Sequence, residues 1–326
     1  MWRTDRIDRQ RIERHAEQLV AKSVHPDRIA AAWSLLVCCV RNEMARMPAF
    51  LDHYRRLGVG HFLVLDNLSD DGLQDYLGQQ PDCSVWLANG SYKASNFGMD
   101  WCNTLLARYG VGKWCVTVDP DEFLVYPYSE QRDLRSLTAR LDAIGQPSLF
   151  AVLLDAYGDG PLSRTTLTPG SDPFEVCPWF DRFNLTQRFD PHTQGFWVQG
   201  GVRMRRFFAD RPAQAPALNK VPLVRWSKGL RYVSSMHHLN DKRLNCTVHE
   251  RKDAVSAVLF HFKYVSLLRE KASEEMVRGE HYAGSTEYKA YFDAGDVVLR
   301  DPEVSVRYAG SSQLMQLGFM QAGTWF

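Results

Sequence analysis

The chain has 326 residues, 45% of them hydrophobic and 24% charged, with a formal net charge of +1. That length carries a sizeable core in one large or two ordinary domains, and the composition is that of a globular protein. The balanced charge gives no global basic field for nucleic acid, and no stretch approaches the ~20 apolar residues that a membrane-spanning helix needs.

Met1 to Ala21 is charged throughout and lacks the apolar core of a signal peptide. Seven cysteines are scattered at Cys38, Cys39, Cys83, Cys102, Cys115, Cys177 and Cys246 without a CxxC pair, which argues against a zinc ribbon or a thioredoxin site. Several lie in apolar runs, where a thiol acts as a small hydrophobe. Reduced thiols in a cytoplasmic protein are expected, with any membrane contact peripheral and at the inner face.

In chain order, residues 1–33 predict a polar helical arm. Ser34–Val40 is short, uniformly apolar and partly β-branched, the pattern of a buried parallel strand, and it ends in Arg41-Asn42-Glu43. Met44, Met47, Leu51, Tyr54 and Leu57 recur at helical spacing and Gly58 closes that segment. His61–Leu65 predicts a second strand ending in Asp66-Asn67 and a Ser69-Asp70-Asp71-Gly72 turn. A short helix over Leu73–Leu77, a strand over Ser84–Leu87 and a helix over Asn96–Tyr109 follow. The next strand, Trp114–Val118, runs into Asp119-Pro120-Asp121-Glu122-Phe123. Such alternation implies right-handed crossovers and a mostly parallel sheet flanked by helices, an α/β fold of Rossmann-like type.

Beyond Tyr128 the pattern predicts a helix over Asp133–Ile144 and a strand over Leu149–Asp155. Gly158–Lys228 is rich in Gly, Pro and aromatics and reads as loops and antiparallel pieces. Arg203, Arg205 and Arg206 alternate with apolar residues there, as on a half-exposed strand. Late strands are expected at Val221–Trp226, Tyr232–His237 and Ala257–Lys263, before a helical tail. The expected organisation is an N-terminal arm (1–33), one main domain (34–265, divided near 128 where the alternation ends) and a tail (266–326) docked on that domain.

Ligands of open α/β sheets bind outside the carboxyl ends of the strands. Three strands here end in polar clusters, at Arg41-Asn42-Glu43, Asp66-Asn67 and Asp119-Pro120-Asp121, and in a parallel sheet all three converge on one edge. Two carboxylates two residues apart can hold a divalent cation while leaving sites open for phosphate oxygens. Mg²⁺ or Mn²⁺ placed there neutralises charge on a departing diphosphate. Pro120 stiffens the loop between them.

The segments Val37–Glu43, Phe50–Gly58, Val64–Gly72 and Val118–Val125 together resemble family 2-type glycosyltransferases. The similarity is closest to a bacterial branch with VRNE, DNxSxDG and DxDEF motifs, related in style to family 92. It covers residues 35–128 and continues loosely through Gly200–Arg203, Lys220–Arg225 and His261–Lys263. The resemblance implies a GT-A fold, a nucleotide-sugar donor, most readily a UDP-sugar, a glycan or glycolipid acceptor, and inversion at the anomeric carbon. Carried over residue by residue, it implies that Arg41, Asn42 and Glu43 line the base and ribose pocket and that Asp66, with Asn67, contacts the nucleobase. It likewise implies that Asp119 and Asp121 hold metal and diphosphate, with Glu122 supporting them or serving structure alone. Lys93, Asn96 and Trp101 follow the third strand, where similar enzymes touch the donor.

A late histidine ligand is common in such enzymes. His261 closes an apolar run, with Lys263 two residues on for phosphate, and is favoured over His237 and His238. An inverting transferase also needs a general base, and a carboxylate is usual. Asp155, Asp159 and Asp181 are available, and Asp155 is preferred because it ends the apolar run Phe150–Leu154. The acidic pair expected after Gly200-Gly201 is absent, so the base stays open. So do three other readings: a binding protein without turnover, a sugar nucleotidyltransferase and a metal-dependent phosphohydrolase. Oligomeric state is not legible.

Overall fold

The structure, a computed structural model, describes residues 2–268 and 286–325. In chain order, α1 (Trp2–Ala16), β1 (Leu19–Ser23) and α2 (Pro26–Ala31) lead into β2 (Ser34–Val40), α3 (Met47–Arg56) and β3 (His61–Asp66). Then come α4 (Leu73–Gly78), β4 (Cys83–Ala88), α5 (Met99–Leu105), β5 (Trp114–Thr117), β6 (Glu122–Val125), α6 (Leu134–Ala143) and β7 (Ser148–Tyr157). After α7 (Pro173–Val176) and β8 (Trp179–Asp181), a hairpin of β9 (Leu185–Asp190) and β10 (Gly195–Gly200) turns directly into α8 (Gly201–Phe207). The chain continues through β11 (Asn219–Arg225), a small hairpin of β12 (Tyr232–Ser234) and β13 (His238–Leu239), and β14 (Ser256–Tyr264). It closes with α9 (Thr286–Ala294), β15 (Ser305–Arg307) and α10 (Ser311–Gln316).

The sheet runs β1-β4-β3-β2-β5-β11-β7-β14-β6, with β8 and β15 attached beside β7. Pairs β4–β3, β3–β2, β2–β5 and β7–β14 are parallel. β1 on β4, β11 between β5 and β7, and β6 on β14 are antiparallel. The architecture is α/β with helices on the sheet faces, and in the run β4-β3-β2-β5 the strand order reverses between β2 and β5. In open α/β sheets such a reversal is where a ligand crevice forms, outside the carboxyl ends of the strands.

The two-residue period of a strand explains why β2 reads as uniformly apolar. Leu36, Cys38 and Val40 enter one core with Phe50, Leu51 and Tyr54 of α3 and Leu134, Leu137 and Leu141 of α6. Leu35 and Val37 face the other way, onto Met99, Trp101, Cys102 and Leu105 of α5. Each fully buried Leu or Val contributes ~1.5–3 kcal/mol of transfer free energy, so both faces fix the register. α6 starts where Asp133 accepts a hydrogen bond from the Ser136 N–H at 2.8 Å, an N-cap.

Several expectations are corrected. Residues 1–33 are not a helical arm alone, because Leu19–Ser23 pairs antiparallel with β4 as an edge strand. A strand exposed on one side carries polar residues, which hid it. The helix expected over Asn96–Tyr109 begins at Met99, because Asn96, Phe97 and Gly98 all have left-handed φ of 55°, 56° and 75°. It then widens into a π-turn over Leu106–Gly110. Arg203, Arg205 and Arg206 lie on the helix α8, not on a strand. The tail is not simply helical, since β15 pairs with β8. Residues 269–285 of that tail lie outside the described residues, while Leu314, Phe319 and Met320 are buried in the main core. No described helix is long and apolar enough to cross a membrane.

Candidate active site

The carboxyl ends of β2, β3 and β5 converge as the parallel pairing requires. Arg41, after β2, donates to the carbonyls of Asn67 (2.7 Å) and Leu68 (3.2 Å), tying the ends of β2 and β3 together. Asn42 takes a left-handed φ of 52°, which its short polar side chain tolerates. Its Oδ1 accepts from the Asp70 N–H at 3.0 Å and its N–H donates to Ser69 Oγ at 2.9 Å. Glu43 is buried and accepts from Arg46 Nη1 at 2.8 Å, while Arg46 Nη2 donates to the Phe262 carbonyl of β14 at 3.3 Å. Phe262 in turn donates its N–H to the Asp121 carbonyl at 2.8 Å. Glu43 therefore braces the floor of the crevice.

Asp66 is fully buried, and its Oδ1 accepts from the Ser69 N–H at 2.7 Å. Its Oδ2 is buried with no hydrogen-bond partner. Burial pushes this carboxyl up, with the Ser69 hydrogen bonds opposing. Asn67 spends its amide on the carbonyls of Ala88 (2.8 Å) and Gly90 (3.0 Å), fixing the loop after β4. Lys93 is exposed on that loop, Asn96 donates to the Val233 carbonyl at 3.1 Å, and Trp101 is a core residue of α5.

Asp119 and Asp121 flank Pro120 just past β5, at the crevice between β5 and β2, with 41% and 19% of their side chains exposed. Enclosure, then the charges of Glu122 and Asp121, push the Asp119 carboxyl up to about 7 against Lys220 and His261; its solvent access tempers that push. Glu122 is buried, accepting from the Asp119 N–H through Oε2 at 3.2 Å and from Lys220 Nζ through Oε1 at 2.8 Å. Lys220 also lies 3.7 Å from Asp119 Oδ2. Burial opposes the Lys220 charge, yet Glu122 and Asp119 hold its pKa above the ordinary value.

His261 sits on β14 opposite Glu122 of β6 and Asp155 of β7. Its Nδ1 is 2.6 Å from Asp155 Oδ1 and its Nε2 is 3.3 Å from Asp121 Oδ2. Burial works against the charged ring, but Asp121 and Asp155 raise its pKa to about 9. Against the opposing push of burial, His261 holds Asp121 far below the usual carboxylate range.

Asp155, the carboxylate preferred as base, is corrected on physical grounds. Its side chain is 2% exposed and grips Arg203 through both oxygens, at 3.1 and 2.7 Å, as well as His261. Burial raises its pKa, but Arg203 and His261 outweigh that and hold it low. It orients His261 and is closed to an acceptor. Lys263 pairs with Glu287 of α9 at 3.0 Å.

Sequence reasoning passed over Lys220, Arg46 and Glu287 and placed Arg203 in the wrong element. A signal existed for Lys220: a lysine inside the apolar run Asn219–Val224 cannot be buried unpaired. Glu287 had none, since its charged partners Lys263 and Arg203 are more than twenty residues away in sequence.

Among the described residues, no three His, Cys, Asp or Glu side chains close around a metal position. Asp119 and Asp121 are instead two partly exposed carboxylates two residues apart, with Asp121 Oδ2 3.3 Å from Nε2 of a carboxylate-oriented histidine. Mg²⁺-type ions suit such a site, taking one or two protein carboxylates plus substrate phosphates.

No protein-family model and no curated protein matches this chain. Among solved structures, a Bacillus anthracis protein described as a glucose-1-phosphate thymidylyltransferase, in complex with a sucrose, is similar over 41% of this chain and 61% of its own length. The sequence identity is 9% and the TM-score 0.24. A likeness of that extent carries no argument about activity.

Proposed function

We propose that this chain is a metal-dependent glycosyltransferase that moves a sugar from a nucleotide-sugar, most readily a UDP-sugar, to a glycan or glycolipid acceptor. The observation that carries the reading is the Asp119/Asp121 carboxylate pair held open at the switch point between β2 and β5. Beside it, the unpartnered Asp66 Oδ2 gives a buried acceptor suited to a nucleobase N–H.

Asp119, Asp121 and His261 would hold Mn²⁺ or Mg²⁺, which when bound neutralises charge on the departing diphosphate. Asp155 and Arg203 keep the His261 ring oriented. Lys220 places a fixed positive charge at the diphosphate end of the crevice. Arg41 and Asn42 shape the nucleoside wall, with Glu43 behind them. The family 2 resemblance of residues 35–128 supports the same assignment.

The test is a thermal-shift screen of UDP-, GDP-, CMP- and dTDP-sugars with Mn²⁺, followed by an acceptor screen. One donor should raise the melting temperature of the wild type, and only when Mn²⁺ is present. Asp121→Ala should stay folded, lose that shift and lower transfer about 100-fold or more. Undiminished transfer by Asp121→Ala would overturn the metal assignment. Donor cleavage in water that no acceptor in the screen accelerates or diverts to a glycoside product would point to a phosphohydrolase.

A further inference from the structure

Transfer to a hydroxyl requires a group that removes its proton, and the three carboxylates considered for it from the sequence, together with Glu287, are committed elsewhere. Asp155 is gripped by Arg203 and His261. Asp181 is buried and bonded by Arg205, Tyr157 and Asn184. Asp159 pairs with Arg300 at 3.3 Å, and Glu287 with Lys263 at 3.0 Å.

We propose that His237, through Nε2, is the catalytic base that takes the acceptor's hydroxyl proton, an inference that rests on the transferase reading above. β11 runs antiparallel to β5 with Leu223 opposite Val116. Its first residues therefore reach past the end of β5, which is why Lys220 meets Asp119. The next carbonyl back, that of Asn219, is 2.6 Å from His237 Nδ1. A carbonyl has no proton to give, so Nδ1 carries the hydrogen and the lone pair sits on Nε2.

The hairpin that bears His237 is fixed to the same edge. Val221 donates its N–H to the Met236 carbonyl at 2.8 Å, His237 donates its own to Ser234 at 3.0 Å, and Asn96 of the loop after β4 holds the Val233 carbonyl. The residue is partly buried, and its ring is tied through Nδ1 to the residue just before Lys220, which meets Asp119.

Four groups set its charge. Burial, then the fields of Lys220, His238 and Arg203, lower the ring's pKa to about 3 against the Asn219 carbonyl, so the free protein holds it neutral. A bound diphosphate offsets Lys220 and strengthens the base when the donor is in place. In the reaction, the acceptor hydroxyl proton passes to Nε2 while its oxygen forms the bond to the anomeric carbon. The bond from that carbon to the diphosphate breaks, and its electron pair leaves on the diphosphate. The Asn219 carbonyl then stabilises the imidazolium through Nδ1 until the proton is lost to solvent.

The experiment uses the nucleotide-sugar that shifts the wild type with Mn²⁺ in the four-donor screen, with water as the acceptor and nucleotide release as the readout. His237→Asn keeps an amide N–H for the Asn219 carbonyl, and His237→Gln puts an amide near the Nε2 position. Both should lower kcat about 100-fold or more, with donor Kd within about 3-fold of wild type. The acid-side fall of kcat in the wild type should be missing from the residual activity. A kcat within about 5-fold of wild type in either variant, or an equal loss of donor affinity, overturns the assignment. A wild type that binds none of the four donors removes the transferase reading, and this base with it, whereas loss confined to the comparison of variants removes the base alone.

Discussion

Lys220 and Glu122 form a buried ion pair at 2.8 Å, with 5% and 1% of their side chains exposed. The pair joins β11 to the start of β6, and the second Glu122 oxygen holds the Asp119 N–H. One carboxylate thus sets the loop that presents Asp119 and Asp121, and one lysine neutralises it.

Removing the lysine alone leaves Glu122 charged in a dry site. Breaking a buried pair from one side typically costs about 3–5 kcal/mol, whereas replacing both partners can be near neutral. Lys220→Met should therefore lower the unfolding free energy by about that amount in urea titrations. Lys220→Met combined with Glu122→Gln should recover most of the stability and none of the transferase activity. Equal stability of the single and double variants would remove Glu122 from this account.

Stability should peak near neutral pH. His261 has a pKa raised to about 9 in the fold, against ~6.5 in an unfolded chain. Its contribution is complete below the unfolded value and is lost as pH rises through about 9. Burial lowers His53 and His61 to about 4 and His237 to about 3. These contribute fully above ~6.5 and lose stability as pH falls toward the folded values. Melting temperatures from pH 4 to 10 should fall on both sides of a maximum at about pH 6–7. His261→Gln should flatten the alkaline limb; an unchanged limb would mean the His261 charge is not set by Asp121 and Asp155.

The donor half was legible because its signals are local. Each apolar run followed by a polar cluster is a strand with its end, and parallel pairing alone brings Arg41, Asp66 and Asp119 to one edge. The acceptor half was not, because its site is built from contacts between distant segments: Asp155 with Arg203, Lys263 with Glu287, and His237 with Asn219. Arg203 misled for a specific reason. Over the short run Val202–Phe207 an alternation of period two and a one-sided helix predict similar patterns, and only the left-handed Gly200 and Gly201 just before it, at φ 136° and 63°, distinguish a turn into α8.

Asp66→Asn separates binding from folding. The carboxylate is fully buried with Oδ2 unpartnered, so neutralising it removes a desolvated charge while Oδ1 can still accept from Ser69. The melting temperature should hold or rise slightly. Donor affinity, measured by calorimetry with Mn²⁺, should fall about 10-fold or more, because an amide cannot offer the same buried acceptor to a nucleobase N–H. Unchanged affinity would move the nucleobase away from β3.

Gly200→Ala tests how the fold aims the site. A Cβ at Gly200 would stand 2.1 Å from the Asn184 carbonyl oxygen, a backbone atom held in place because Asn184 Nδ2 bonds buried Asp181. The φ of 136° adds strain for any residue with a side chain. Relief requires moving either the Asn184 turn or the start of α8, and α8 carries Arg203 to Asp155 and Arg205 to Asp181. The substitution should cost about 2 kcal/mol or more in denaturant titrations. If α8 is what moves, Arg203 releases Asp155, His261 loses its fixed orientation, and Mn²⁺-dependent donor binding weakens together with stability. Gly160→Ala, where a Cβ meets nothing within 4 Å, is the matched control and should leave both unchanged. A Gly200→Ala protein with wild-type stability and donor affinity would show that α8 and the Asp155–His261 pair are not mechanically joined.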